Sequence, residues 1–431
     1  MKLRFDLRLA LIVAGIAIYA YILFLLFTKN LAYWPDYPFH LHNIWAASKG
    51  FLGQDPFLAG GVHLTLAYGA PVTLLGVLLY PLLGILTVAV LLGVAAPGIW
   101  FSSRAMFRHL VQERAATLGA FLVLLNPFTM YLFLTAKLPF IWGLCFALIS
   151  VHFYFEEKWI FAVLLGALAV ITHPMAICLL GASVLLTRNI VDWLKTYFVP
   201  SGIFLVQLVT LFGVSFQAAS EIHILNILFL SGALVAVLWL RKDCWPLCVV
   251  GLVVLLAAIA SFFGLPVPGA LVLDRVGFVA LLFALPFLMQ KYAPLALVFM
   301  LLSAGVVVAH SPIPDNPAAY DNLPPELVED LGTGEVRYAS DGSALYMLPK
   351  LGIRFTNEGR ESSEEVPDNL EAYVKLIEAE NASYVLIYGD YSKHSWRAQA
   401  EENIIQELGY SLIYSQDNIS IYKTHLTLEN P

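Results

Sequence analysis

Charge is scarce in this sequence. Asp, Glu, Lys and Arg supply 13% of its 431 residues, against about 25% in an average soluble domain. Apolar residues make up 59%, and mean hydropathy is +0.77. That balance excludes a single soluble globule, and equally a disordered or collagen-like chain. Cysteine is nearly absent. Cys145, Cys178, Cys244 and Cys248 all sit in apolar segments, so no disulfide framework is implied. Soluble-enzyme signatures are missing too: no phosphate-binding glycine loop, no His-Glu-x-x-His and no paired cysteines at zinc spacing outside the apolar runs.

What is present divides near residue 310. Residues 1–309 carry 16 Lys and Arg against 10 Asp and Glu; residues 310–431 carry 8 against 21. The acidic tail argues against a nucleic-acid partner. The first part is a series of apolar runs long enough to cross a bilayer. Lys2, Arg4 and Arg8 precede the first, 9–27, which reads as a retained span with a cytoplasmic N-terminus rather than a cleaved signal. Further runs lie at 72–103, 115–134, 139–155, 159–171, 174–187, 200–214, 222–240, 245–263, 276–290 and 293–309.

The 72–103 run is too long for one straight span and too short for two. Charge decides how it divides. With 72–84 as a half-buried or surface helix and 86–107 as the span, the chain crosses eleven times. Twelve Lys and Arg then fall inside, and four (Lys29, Lys49, Lys137 and Arg275) fall outside. The expectation is a polytopic α-helical membrane protein of the plasma membrane. Its domains are 1–309 and an extracytoplasmic tail, 310–431.

The tail opens with the proline-rich stretch His310–Pro317. Strand-like runs follow at Glu335–Ala339, Ala344–Leu348, Tyr384–Tyr388, Tyr410–Tyr414 and Ile419–Tyr422. Helix-like runs lie at Leu370–Ala379 and Trp396–Leu408. This alternation predicts a small α/β layer.

The outer segment 28–71 is the one long loop of the first part, and it is too aromatic for disorder. It contains Asp36-Tyr37-Pro38-Phe39-His40-Leu41-His42. Pro38 suits a first helical turn and Gly50 a C-terminal cap, predicting a surface helix over 38–49. Outside the tail, the outer face offers few acids (Asp36, Asp55, Glu221 and Asp274) and few strong cations. A carboxylate could take a proton or hold a metal ion. A guanidinium such as Arg275 suits a lipid phosphate. The bland alternatives are a helix cap for Asp36, a turn for Asp55 before Pro56, packed or surface positions for His40 and His42, and a backbone carbonyl partner for His173.

Asp-x-Pro-Phe-His after a first span, then Tyr68-Gly69-Ala70-Pro71, Asn126-Pro127-Phe128, Thr172-His173-Pro174 and Asp274-Arg275 in that order, resembles the GT-C superfamily of membrane glycosyltransferases. More narrowly, it resembles the prokaryotic membrane proteins labelled "6-pyruvoyl-tetrahydropterin synthase related", a label that implies no pterin chemistry here. The resemblance covers most of residues 1–310. It implies transfer of a sugar from a polyprenyl-phosphate donor to a lipid, glycan or protein acceptor on the outer face, with inversion. Asp36 would be the base, with His40 beside it. Arg275, His173, Glu221, Lys137, Asp55 and Tyr68 are the expected substrate contacts. The sequence names no certain cofactor and leaves room for a divalent metal at the acids. The oligosaccharyltransferase branch carries Trp-Trp-Asp-Tyr-Gly; this chain has Tyr388-Gly389-Asp390-Tyr391 and no Trp-Trp-Asp. Two other classes are open. One is a transporter or flippase, disfavoured by the near absence of charge at mid-depth. The other is a non-catalytic scaffold presenting the tail.

Overall fold

The computed structural model describes residues 7–28, 37–52, 56–57, 69–186, 189–211, 282, 285–287, 289–290, 301, 304–305, 323–339, 348–356, 369–388, 395–416 and 419–425. By its contacts the chain divides into two compact units. One comprises Met1–Leu23, Ala67–Val72 and Ala89–Ser311; the other comprises Phe24–Leu66, Thr73–Val88 and Pro312–Pro431.

The first unit is helical. It holds most of α1 (Leu7–Thr28), α4 (Thr87–Phe107), α5 (Glu113–Leu124), α6 (Pro127–Leu134), α7 (Leu138–Phe155), α8 (Trp159–Thr172), α9 (Ala176–Ala182) and α10 (Ile190–Leu211). Helix α7 is held from both sides. Trp142 donates its indole N–H to Leu91 O on α4 (3.2 Å), and Ser150 donates to Ala162 O on α8 (2.6 Å). Large apolar side chains also point away from the protein: Leu9, Val13 and Ile16 on α1, Ile160, Phe161 and Leu164 on α8, and Val191, Leu194, Phe198 and Leu205 on α10. Such faces are costly in water and suit hydrocarbon. Among the described residues, two helical stretches are long and apolar enough to cross a bilayer: Ala70–Phe107 and Leu138–Phe155.

Two predicted spans differ in detail. The 115–134 run is not one helix. Asn126 breaks it, fully buried, with Oδ1 accepting Thr129 N–H (3.0 Å) and Nδ2 donating to Val123 O and Leu122 O. The side chain thus caps α6 and serves carbonyls at the end of α5, which lets Pro127 take an N-terminal position. The run predicted over 200–214 begins ten residues earlier, at Ile190. Pro200 sits inside α10 rather than opening it.

In the second unit, α2 (Tyr37–Ser48) lies against α3 (Ala70–Leu83). The stretch 70–107 does break where the charge argument divided it. Gly84 has φ +53°, and a 3-10 turn, Gly84–Leu86, separates α3 from α4. Helix α3 is two-faced: Val72 and Thr73 are buried, while Leu78 and Leu82 are exposed.

The tail forms a five-stranded mixed sheet. β1 (Glu335–Ala339), β2 (Arg354–Phe355), β3 (Tyr384–Tyr388), β4 (Ser411–Gln416) and β5 (Ile419–Lys423) lie in the order β2-β1-β3-β5-β4. β1 pairs in parallel with β2 and β3, and β5 pairs antiparallel with β3 and β4. Alternation along β3 builds two cores. Tyr384 and Leu386 join Val336, Ile419 and Ile421, with Leu331 of α11 (Pro325–Thr333). Val385 and Ile387 join Tyr373 and Ile377 of α12 (Leu370–Glu380) and Ile405 of α13 (Ser395–Glu407). The sheet is therefore covered on both faces. Helix α11 and strand β2 had no counterpart in the sequence reading. Of the expected strand Ala344–Leu348, only Leu348 is described, and it opens a helical turn.

Arg337 of β1 lies fully inside this layer. It donates Nε–H to Glu401 Oε1 at 2.8 Å and pairs with Glu380, while Tyr373 donates to Glu401 Oε1 at 2.7 Å. Burial opposes the arginine's charge, but Glu401 and Glu380 outweigh it and raise its pKa further. Burial, and then Glu401, push the Tyr373 hydroxyl far above its usual range.

Candidate active site

Of the expected site residues, Asp36, Asp55, Tyr68, Glu221 and Arg275 lie outside the described residues. His40, His42, Lys137 and His173 lie within them.

Helix α2 begins at Tyr37, one residue after Asp36, with Pro38 in its first turn. It ends as its sequence predicts. Gly50 takes φ +90°, Phe51 N–H bonds to Ala46 O, and Gly50 N–H bonds to Ala47 O. The expectation of a surface helix is corrected: every residue from Tyr37 to Ala47 is buried. Tyr37 donates to Ile85 O (2.6 Å). Ile44 presses on Gly76 of α3, and the Trp45 ring meets Phe57 at 5.4 Å. Phe57 O in turn accepts Phe355 N–H (2.9 Å) at the outer edge of β2. His40 and His42 are both buried, beside Phe39 and Trp45 respectively. Two positions apart on a helix, they face different sides. The carboxylate at 36 therefore precedes a helix gripped on several sides.

In the first unit, Lys137 and His173 lie at one end of the α7–α8 pair. Lys137 is the N-terminal cap residue of α7 and follows Ala136, which has φ +52°. His173 follows α8, and its ring meets Phe140 edge-on at 5.0 Å. The approach is close: a Cβ on Gly143 would sit 3.0 Å from His173 Cβ. His173 is buried, and its Nδ1 accepts Met175 N–H at 3.1 Å. This ties the imidazole to its own turn, through a backbone N–H and not the carbonyl weighed for it from sequence.

A further cluster lies at the opposite end of α7. His109, in the turn between α4 and α5, meets His152 and Glu156, with the potential ligand atoms all within 4.8 Å. The sequence reading had not joined these residues. The His152-x-x-x-Glu156 spacing, one helical turn, was the available signal.

No protein-family model and no curated protein sequence matches this chain. Solved structures do. An Archaeoglobus fulgidus oligosaccharyltransferase, tethered to an acceptor peptide containing an NVT sequon, aligns with 98% of this chain and 74% of its own length. The TM-score is 0.50 and the identity 13%. The likeness is one of fold. The shared fold is that of a polytopic membrane protein. ArnT from Cupriavidus metallidurans in the apo state also aligns, over 95% of this chain and 97% of its own, at TM-score 0.39 and 12% identity.

Proposed function

We propose that the protein is an integral-membrane glycosyltransferase. It moves a sugar from a polyprenyl-phosphate donor to an acceptor at the outer face, with inversion at the transferred carbon. The reading is supported by the fold likeness over 98% of the chain, taken with an acid placed directly before a buried, firmly held helix. Transfer needs a base for the acceptor's proton and a cation for the phosphate that leaves. Asp36 is the base in this reading, and Arg275 grips the phosphate with its two parallel N–H groups. His40, Lys137, His173, Glu221, Asp55 and Tyr68 are secondary contacts. In this reading the tail lies outside the cell, which the charge bias of the loops supports. Because Trp-Trp-Asp is missing, the acceptor belongs to a class other than sequon peptides.

The test is transfer of labelled sugar from lipid-phosphate donors by the purified protein in nanodiscs, with lipid, glycan and sequon-peptide acceptors. Asp36→Asn keeps the shape and removes the proton acceptor, so turnover should fall by at least ~10²-fold with donor binding little changed. Wild-type-like transfer by that variant would remove the base assignment. No transfer by the unaltered protein with any donor would favour the scaffold. Transfer to a sequon peptide would return the chain to the oligosaccharyltransferase branch.

A further inference from the structure

Two chain-distant elements bring imidazoles together at the end of α7 away from His173. His109 Nε2 lies 2.9 Å from His152 Nδ1 and 3.7 Å from Glu156 Oε1. His152 and Glu156 are four residues apart at the C-terminal end of α7, so both face the 108–112 turn. The end of a helix carries a partial negative charge of about half a unit, which favours a cation there.

The neighbouring charges leave the pocket open to a cation. Arg104 and Arg108 are both occupied by Glu113, at 2.5 Å each. Lys158 lies 3.6 Å from Glu156 Oε2; it is exposed and can swing away. Phe155 stacks on His109 at 5.3 Å and limits the ring's freedom.

We propose that His109, His152 and Glu156 form a binding site for a zinc-class divalent cation that pins the α4–α5 turn to the end of α7. Around a tetrahedral ion, ligand atoms at 2.0–2.1 Å stand about 3.3 Å from one another. The two distances from His109 already fall within about half an ångström of that spacing. Glu156 closes the remaining gap by rotating its exposed side chain. Whichever imidazole donates in the His109–His152 hydrogen bond moves its proton to its other ring nitrogen to offer a lone pair, so no proton needs to leave the site. Three protein ligands leave a fourth position for water. The choice of imidazole over an all-oxygen set selects zinc, cobalt or nickel over magnesium and calcium.

The experiment uses tag-free, full-length protein in nanodiscs, stripped of metal and then equilibrated with zinc. Wild type should retain one zinc per chain. His109→Ala with His152→Ala should weaken binding by more than ~100-fold, beyond the effect of losing an outer partner alone. Glu156→Gln should weaken it less. Zinc-edge absorption on the wild type gives a readout that no variant's folding can confound. It should report two imidazoles and oxygen ligands. Binding that survives the double substitution, or a wild type holding under ~0.1 zinc per chain at micromolar free zinc, overturns the site.

Discussion

Gly76 is where the packing of α2 can be broken with the least chemistry. A Cβ added there would lie 2.5 Å from Ile44 Cδ1 and 2.7 Å from Ile44 Cγ1. Ordinary carbon contacts are about 3.5–4.0 Å, so Ile44 must give way by roughly 1 Å. Overpacking of this size costs about 1–3 kcal/mol. Alanine also repays about 1 kcal/mol of helix propensity in the middle of α3. The net loss for Gly76→Ala is therefore small, about 0–2 kcal/mol, and a melting curve alone discriminates poorly. Two other readouts decide. First, α2 follows Asp36 directly, and a displacement near 1 Å at a reacting group can cost ~10²-fold in rate. If Asp36 is the base proposed above, sugar transfer by Gly76→Ala should fall by ~10-fold or more, while the protein remains folded. Second, Ile44→Ala alone opens a cavity worth about 2–5 kcal/mol. Together with Gly76→Ala, the new methyl group refills part of that space. The pair should couple by at least ~0.5 kcal/mol in the rescuing direction, read by thermal unfolding in one detergent. Additive effects would refute the contact, and an unchanged rate in Gly76→Ala would separate α2's position from catalysis.

Glu401→Ala leaves the buried Arg337 with Glu380 as its carboxylate and should cost about 3–5 kcal/mol, seen as early loss of protease resistance in the tail during urea unfolding. Arg337→Met combined with Glu401→Leu should recover most of it, because two apolar groups need no counter-charge. Glu113 is held at about 2 by hydrogen bonds from Arg108 and Arg104, below its ordinary 4.5. Its contribution is therefore complete above pH 4.5 and is lost as pH falls toward 2. Glu113→Gln should flatten the melting temperature across that window while wild type declines. Asn126→Leu removes the cap of α6 and takes the amide away from Thr129 N–H and the Leu122 carbonyl; it should destabilise the helical unit by about 1–3 kcal/mol in thermal unfolding.

Much of the architecture was legible because local chemistry fixes it. Pro38 and Gly50 mark the ends of α2. The positive φ needed at Gly84 divides a stretch that its loop charges had already divided. The tail's strands at 335–339, 384–388 and 419–423 fall on runs rich in Val, Ile and Tyr, and Asn369 caps α12 by accepting Ala372 N–H. Where pattern and structure part, the deciding partner lies far along the chain or leaves no periodic trace. Helix α11, Pro-Glu-Leu-Val-Glu-Asp-Leu-Gly-Thr, has too few apolar positions to announce itself and is held by Leu331 against the sheet. The break at Asn126 hides inside an unbroken apolar run, because one buried amide replaces a turn of backbone hydrogen bonds.

The buried state of α2 illustrates the limit most sharply. Phe39, Leu41, Ile44 and Trp45 announce apolar faces, and a helix with apolar faces can lie on a membrane or inside a protein. Periodicity cannot choose between these, since lipid and protein interior satisfy the same side chains. What chooses is a second helix with a glycine at the contact. Gly76 lets the α3 backbone approach until Ile44 fills the space a side chain would take. In an oily run, that glycine reads as a weak helix former. Its meaning exists only once Ile44, 32 positions earlier in the sequence, is set against it. The acid at 36 is proposed from sequence alone, and the rigidity of the helix after it was not legible there. That rigidity is what separates an acid that caps a floating helix from one that can be aimed. A mobile surface helix would spread the carboxylate over several ångströms, and the effective concentration at a reacting hydroxyl would fall accordingly. The packing of Tyr37, Ile44 and Trp45 on residues of the same unit removes that freedom one residue away from the acid.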